Sequence, residues 1–190
     1  MLRKLDFSSD DPEWDTLLKS IDPATLEWAY RDQAIIVLLL STGIRRIELA
    51  NLTMKNVDLK DATITVTRKG GDQQVIELNN DSIFCLEQYL KLRNSKEKSL
   101  FVSSKDKKMT PESLHYIVKK IISDCGLKGS AHTLRHTFVT ELVRAGVPLP
   151  VIQSLVGHRN ANTTIRYTHI ISKDRRSAVS KINLGLKKTN

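Results

Sequence analysis

The hydrophobic pattern of this 190-residue chain changes its period twice, and this alternation limits the folds that the chain can adopt. Residues 22–41 follow a helical pattern centred on seven consecutive apolar residues at 34–40. The pattern then becomes a strict apolar–polar alternation at 63–67 and again at 74–78, with lysine, glycine and aspartate between the two runs. From residue 81 onward the spacing is helical again. The chain is therefore predicted to be mainly α-helical with one small antiparallel β-hairpin, an α+β fold.

Cap and stop residues divide the helical parts of the pattern. The first helix should end at Thr42-Gly43. Asp81 and Thr110 are expected to cap two later helices, because their side chains accept hydrogen bonds from backbone N–H groups. Gly146 and Gly157 should end the two helices that follow, because glycine adopts a left-handed conformation at little cost. The helices predicted after the first cover residues 46–52, 81–93, 110–125, 133–145, 148–156 and 172–184.

Length and composition fit one globular domain. A chain of 190 residues with 40% hydrophobic side chains can bury a full core. Its longest apolar run is far shorter than the roughly 18 residues of a membrane span, and the N-terminus shows no secretory pattern. Cys85 and Cys125 stand apart, outside any CxxC pattern. A disulfide scaffold is therefore excluded, and a cytoplasmic location is expected.

The charge is unevenly distributed along the chain. The protein carries a net charge of +9, from 30 basic and 21 acidic residues. Residues 1–32 hold eight acidic and four basic side chains, so the rest of the chain carries +13. Residues 173–190 alone contribute six basic side chains and one acidic one. A basic body behind an acidic leader favours a polyanionic partner, most often nucleic acid, although a basic protein without such a partner is the plain alternative.

His132, Arg135 and His136 form the densest group of chemically active side chains. The histidines are four residues apart, so they share one face of a helix, as the histidines of zinc proteases do. Those sites need a glutamate directly after the first histidine, whereas Thr133 stands there, which weighs against zinc. A structural histidine pair is the simpler alternative, but Arg135 would need a partner if it were buried. A histidine and an arginine at a helix start favour a phosphate or carboxylate site.

The other candidate residues have ordinary explanations when each is taken alone. Arg45 could pair with Glu48 three residues later, and Lys69 could be an exposed turn residue that aids solubility. Tyr167 could belong to the core, and His158 could begin a loop. Their order and spacing in one chain, together with the histidine cluster, are not covered by these separate explanations.

The motifs that carry this order are Thr42-Gly43-Ile44-Arg45…Glu48-Leu49, Lys69-Gly70, His132-x-x-Arg135-His136, Leu155-x-Gly157-His158 and Tyr167-Thr168-His169. Together they resemble the catalytic domain of the tyrosine recombinases, the phage integrase family. The resemblance covers residues 22–171 and includes the order of the hairpin and the helices. It implies the mainly α DNA breaking-rejoining catalytic fold and an enzyme of DNA recombination and integration, of the kind found in mobile genetic elements.

The resemblance also implies a role for each matched catalytic position. Tyr167 matches the nucleophile that attacks a DNA phosphodiester and forms a 3′-phosphotyrosyl bond. Arg45 and Arg135 match the two arginines that hold the phosphate, a task that suits the planar, two-pronged guanidinium. His132 would bond a phosphate oxygen and help to take the tyrosine proton. Lys69 matches the hairpin lysine, the general acid for the leaving 5′-oxygen.

The remaining matched residues would support this chemistry. His158 would donate to the same phosphate, while Glu48 and His136 would orient their neighbours. Arg68 is adjacent to Lys69, and a shift of one residue in the hairpin register would turn Lys69 out of the site. Candidate contacts to the DNA backbone are Arg46, Arg68, Arg159 and Arg166. The resemblance implies no metal, no other cofactor and no ATP.

The family's organisation sets expectations for domains and assembly. Residues 1–20 would be a leader or residual linker, and residues 21–190 the catalytic domain with a C-terminal tail at about 172–190. The family's N-terminal core-binding domain is expected to be absent. Members act as homotetramers on two double-stranded DNA sites, with the C-terminal segment reaching a neighbour. In the absence of DNA, this chain is expected to be a monomer.

Three alternatives share the DNA partner but not the reaction cycle. A type IB topoisomerase uses the same chemistry to relax supercoils, and the Leu155-x-Gly157-His158 and Tyr167-Thr168-His169 motifs argue against it. A non-catalytic helix-turn-helix protein would use residues 148–156 as its recognition helix, which leaves Tyr167 without a role. A recombinase fold that has lost its activity is disfavoured, because all six active positions hold competent residue types.

Overall fold

A computed structural model of the protein describes residues 23–124 and 127–157. This part of the chain is mostly helical with one small antiparallel sheet, which confirms the predicted fold class. The elements are α1 (Pro23–Thr42), α2 (Arg46–Ala50), a 3-10 helix (Met54–Asn56), β1 (Val57–Asp58), β2 (Thr63–Thr67), β3 (Gln73–Glu77), α3 (Asn80–Leu92), α4 (Pro111–Asp124), α5 (Ala131–Arg144) and α6 (Leu149–Val156). The predicted leader at 1–20 and the predicted helix at 172–184 lie outside the described residues.

The apolar run of α1 forms the centre of the core, as its sequence predicts. Ile35, Leu38 and Leu39 are fully buried, because α1 packs against α3, α4 and α5 on different sides. A helix enclosed in this way needs apolar residues around most of its circumference instead of a single stripe. In the part of the chain that is described, no helix combines the length and the apolarity that crossing a bilayer requires.

The predicted hairpin is present and belongs to a three-stranded sheet of order β1-β2-β3. Its register pairs Thr63 with Glu77 and Thr67 with Gln73. Alternation along β2 places Ile64 and Val66 against the core. The strand β1 was not predicted, because two residues are too few to show a period. In the turn, the Arg68 amide donates to the Asp72 carbonyl at 2.7 Å.

Two predicted helix starts need correction. Asp81 is not the cap of α3: this helix begins at Asn80, and the Asn79 side chain accepts from the Ser82 amide at 2.9 Å. A cap must lie just before the first turn, in extended backbone, whereas Asp81 lies within that turn. The helix α5 begins at Ala131, two residues before the predicted start, with Ser130 as its cap residue.

Other predicted helix ends are confirmed. Thr110 accepts from the Ser113 amide at 3.2 Å, directly before α4 begins at Pro111. Gly157 caps α6 in the left-handed conformation, with φ of 61°. Gly157 therefore marks the end of α6, and it lies one residue before the predicted site residue His158.

Gly43 connects α1 to α2 in a conformation that excludes larger residues. Its φ is +60°, and a Cβ atom there would overlap the ring of Phe138. Gly43→Ala is therefore expected to lower the free energy of unfolding by about 2–4 kcal/mol, from backbone strain plus overpacking. Gly71→Ala is the matched control, because φ there is +93° but no atom lies within 4 Å of the added Cβ. Urea denaturation of both variants measures the difference, and equal losses would contradict the packing argument.

Candidate active site

An open cleft of about 360 Å³ lies where the α1–α2 turn, α4 and the start of α5 meet. The residues that line it are Ile44, Arg45, Arg46, Ile47, His115, Ser130, Ala131, His132 and Arg135. Three of these are arginines and none is acidic. Three of the six predicted catalytic residues therefore meet in this cleft: Arg45 is brought next to His132 and Arg135, although it lies far from them in sequence. The arrangement is a positively charged cavity open to solvent.

Arg135 is buried, with 7% of its surface exposed, and links three parts of the fold. From α5, its guanidinium donates to the Gly43 carbonyl in the α1–α2 turn. The other terminal nitrogen donates to the Val156 carbonyl, the last residue of α6, at 2.7 Å. Both acceptors are neutral backbone groups, so these two bonds fix the guanidinium without cancelling its charge.

Arg45 is held by Glu48. The Arg45 Nη1 atom donates to Glu48 Oε1 at 2.8 Å, and the Arg45 backbone amide donates to Oε2 at 2.8 Å. Arg45 precedes the first residue of α2 in extended backbone, so this carboxylate also caps the helix start. Nη2 of Arg45 lies 3.5 Å from the Gly157 carbonyl. The Arg45 side chain stays 40% exposed while that of Glu48 is 5% exposed, which leaves the guanidinium accessible from the cleft.

Arg68 lies inside the protein. Its side chain is 9% exposed, and Nη1 donates to Glu48 Oε2 at 2.6 Å. Nε donates to Gln74 Oε1 at 2.8 Å, and Nη2 donates to the Leu155 carbonyl at 3.1 Å. Burial lowers the pKa of the Arg68 guanidinium, an effect that the Glu48 carboxylate opposes. Arginine ionises so far above neutral pH that the side chain keeps its charge.

Lys69 has a different environment from its neighbour. It is exposed in the hairpin turn beyond the end of β2, and it is not among the residues that line the cleft. Within the described part of the chain, Arg68 is the hairpin side chain that reaches the Arg45–Glu48 pair. The general-acid role of Lys69 stays a prediction.

His132 and His136 face each other on α5. Their Nε2 atoms are 2.7 Å apart, and the rings meet edge to face with centroids at 4.2 Å. The start of α5 at Ala131 places His132 in the first turn, at the wall of the cleft, and His136 one turn further along the helix. Where the chain is described, no group of three or more histidine, cysteine, aspartate or glutamate residues could hold a metal ion.

The sequence reasoning missed His115 and Ser130, which also line the cleft. His115 lies on α4 beside the fully buried Leu114, at the edge of the apolar face of that helix, and is half-buried. It stands outside every motif, so only its place at the border of an amphipathic helix could have drawn attention to it. The predicted site residues His158, Arg159, Arg166 and Tyr167 lie outside the described residues.

Two other candidates for nucleophilic chemistry are core residues. Burial raises the pKa of the Cys85 thiol to about 11, so this cysteine stays protonated. Tyr89 is fully buried, burial raises its pKa, and its hydroxyl donates to the Leu100 carbonyl at 3.1 Å. Neither side chain reaches the cleft.

Glu48 is expected to be a major contributor to stability. Glu48→Ala would leave Arg68 buried without its carboxylate, which typically costs about 3–5 kcal/mol of unfolding free energy. Glu141→Ala is the matched control, since its ion pair with Arg144 is exposed and should contribute less than about 1 kcal/mol. Guanidinium chloride denaturation measures both losses. Losses of similar size would contradict the buried role of Glu48.

The sequence matches the phage integrase family over residues 11–173. It is 40% identical to the tyrosine recombinase XerC of Caldanaerobacter subterraneus subsp. tengcongensis, over 87% of this chain and 48% of the relative. It is 36% identical to the tyrosine recombinase XerA of Pyrococcus horikoshii, over 81% of this chain and 55% of the relative. The chain thus spans about half the length of the curated relatives it matches.

Solved structures show the same relationship. The fold is similar to the crystal structure of XerA recombinase, with a TM-score of 0.71 and 30% identity over 85% of this chain and 63% of that one. It is also similar to the XerH site-specific recombinase bound to palindromic difH substrate in a post-cleavage complex. The TM-score is 0.70, with 27% identity over 94% of this chain and 54% of that one. On the extent of the family match and these likenesses, the chain belongs to the phage integrase family.

Proposed function

We propose that the protein cuts and rejoins DNA strands at specific sites through a covalent 3′-phosphotyrosyl intermediate. The observation that carries this proposal is the convergence of Arg45, His132 and Arg135 on one open cleft, where none of the described lining residues is acidic. A phosphodiester suits this group, because its two non-bridging oxygens can accept paired hydrogen bonds from planar guanidiniums.

Arg45 and Arg135, which together form the proposed phosphate clamp, are held in position before DNA binds. Glu48 orients Arg45, and two backbone carbonyls orient Arg135, as described above. Donors fixed in this way lose little entropy when a phosphate binds, and they act most strongly on the additional negative charge of the transition state. The arrangement therefore suits phosphoryl transfer in which protein cations stabilise the developing charge.

The proposed step balances as a transesterification. The Tyr167 oxygen attacks phosphorus, its proton passes to His132, and the bond between phosphorus and the 5′-oxygen breaks. Lys69 supplies the proton that the leaving 5′-oxygen needs, and His158 donates to a non-bridging oxygen. Attack by a 5′-hydroxyl from another strand gives recombination, whereas attack by the original one restores the substrate. The phosphotyrosyl ester conserves the bond energy, so rejoining needs no ATP.

The reach of the chain agrees with these roles. Gly157, whose carbonyl lies near Arg45, directly precedes His158 and stands ten residues before Tyr167. Ten residues can span at most about 33 Å, which is ample to bring the phenol to the cleft.

Double-stranded DNA is the proposed partner, bound by a homotetramer across two sites. The net charge of +13 beyond residue 32 supports a polyanion. The related XerH structure is a complex with its difH substrate. Arg46, which lines the cleft beside Arg45, is a proposed backbone contact, as are Arg159 and Arg166.

The test uses a pool of nicked DNA duplexes with a randomised central sequence. A nick just beyond the cleavage site turns the leaving strand into a short fragment with a free 5′-hydroxyl, which diffuses away, so that a covalent complex accumulates and can be isolated on a denaturing gel. We expect an adduct whose DNA sequences share one motif. Salt-sensitive binding without any adduct would favour a non-catalytic DNA-binding protein. Relaxation of supercoiled plasmid without a shared motif would favour a topoisomerase.

A further inference from the structure

The last turn of α6 is held by side chains from other parts of the fold. The last three carbonyls of α6 and the carbonyl of its cap residue Gly157 accept such bonds. The donors come from the hairpin, from the start of α2 and from α5. The bonds are Gln74 Nε2 to Ser154 at 2.8 Å and to Leu155 at 3.4 Å, Arg68 Nη2 to Leu155 at 3.1 Å, Arg135 Nη2 to Val156 at 2.7 Å and Arg45 Nη2 to Gly157 at 3.5 Å. The two clamp arginines are therefore tied to the same helix end as the hairpin.

Arg68 joins the hairpin to both Glu48 and the end of α6. Each of its three nitrogens donates to a different residue: Glu48, Gln74 and Leu155. It therefore connects the carboxylate that orients Arg45 with the end of α6. A cation at this position also suits the partial negative charge of a helix C-terminus.

Gly157 packs directly against this guanidinium. A Cβ atom on Gly157 would lie 2.8 Å from Arg68 Nε and 3.0 Å from Arg68 Cζ. The close contact fixes the backbone from which His158 continues. The lateral position of the α6 end thus depends on where the Arg68 side chain lies.

We propose that Arg68 is a positioning residue, which locks the end of α6 to the Glu48–Arg45 pair and so aligns the clamp with the segment that begins at His158. This inference rests on the proposed DNA cleavage. It assigns Arg68 a role inside the protein instead of the DNA-backbone contact expected from the sequence. The burial of the side chain and the acceptor on each nitrogen support the internal role.

The two roles predict different results for two variants. A contact to DNA phosphate depends mainly on charge, so Arg68→Lys should restore much of the binding that Arg68→Met loses. The internal bridge depends on a guanidinium that reaches Glu48 and Leu155 together, and lysine cannot make both bonds. Arg144→Met is the matched control, because Arg144 pairs with Glu141 on the exposed surface of α5.

Three measurements on the 190-residue chain test the proposal. They are hydrogen exchange of the α6 amides without DNA, the equilibrium dissociation constant for DNA, and the rate of adduct formation at saturating DNA. For both Arg68 variants we expect exchange in the last turn of α6 to rise about tenfold. We expect adduct formation to slow about 10- to 100-fold, because small misplacements are costly in catalysis. The dissociation constant should match that of the Arg144→Met control.

Other outcomes would overturn the assignment. A weaker affinity that lysine restores would show a DNA contact, and unchanged exchange with an unchanged rate would show that the bridge has no effect. Exchange is measured without DNA and reports the bridge by itself. If the native chain formed no adduct, the proposed function would fail, whereas faster exchange in the Arg68 variants would still support the bridge.

Discussion

Arg135→Lys is expected to slow formation of the covalent DNA adduct about 10³-fold, the usual effect of removing a fixed cation or donor from a phosphoryl-transfer or oxyanion site. Lysine keeps the charge but offers one point of donation instead of a planar fork. It cannot hold the Gly43 and Val156 carbonyls and also present donors to a phosphate. The rate at saturating DNA measures the loss, because that rate excludes effects on affinity.

The control for this prediction must separate catalysis from folding, because Arg135 is buried. Urea denaturation gives the stability of Arg135→Lys, and the rate is compared well below the unfolding transition. Arg144→Lys on the exposed face of the same helix should react at the native rate. A loss of less than tenfold with Arg135→Lys would mean that Arg135 supports the fold and does not bind the phosphate.

Tyr167→Phe is expected to abolish the adduct, with a loss of about 10⁴-fold or more, because phenylalanine lacks the oxygen that is proposed to attack phosphorus. DNA affinity should be unchanged, since the phenol contributes one neutral group to a contact dominated by charge. Peptide mapping of the native adduct should place the DNA on the peptide that contains Tyr167.

Tyr116→Phe is the matched control for the nucleophile. Tyr116 lies on α4 next to the cleft residue His115 and is 69% exposed, so both solvent and DNA can reach its hydroxyl. Its replacement should leave adduct formation intact. An adduct that survives Tyr167→Phe and disappears with Tyr116→Phe would transfer the nucleophile to α4 and overturn the proposed assignment.

The order of helices and the hairpin followed from local patterns. The seven apolar residues of α1, the alternation of Ile64 and Val66, and the stop at Gly157 are signals within a few residues of each other. Such signals reflect how a side chain meets its nearest turn or strand face, which depends little on the rest of the fold. The motif order was equally informative for Arg45, His132 and Arg135, which the structure gathers at one cleft.

Local signals were insufficient where several residues competed for one role. Asn79, Asn80 and Asp81 are all competent caps, and the fold decided in favour of Asn79 because its backbone is extended. Arg68 and Lys69 are adjacent cations in a turn, where the direction of each side chain is not set by any period. His115 joined the cleft only because α4 packs beside the start of α5.

By itself the sequence therefore determined the main helices and the hairpin, their order and the chemical types gathered for a phosphate. The tertiary structure decided which cation faces inward and what holds the clamp. The physical reason is the distance along the chain between the groups that bond. The contacts of Arg45 with Gly157, Arg135 with Gly43 and Arg68 with Leu155 span 112, 92 and 87 residues. Their acceptors are backbone carbonyls, which every residue carries, so no side-chain pattern can mark them.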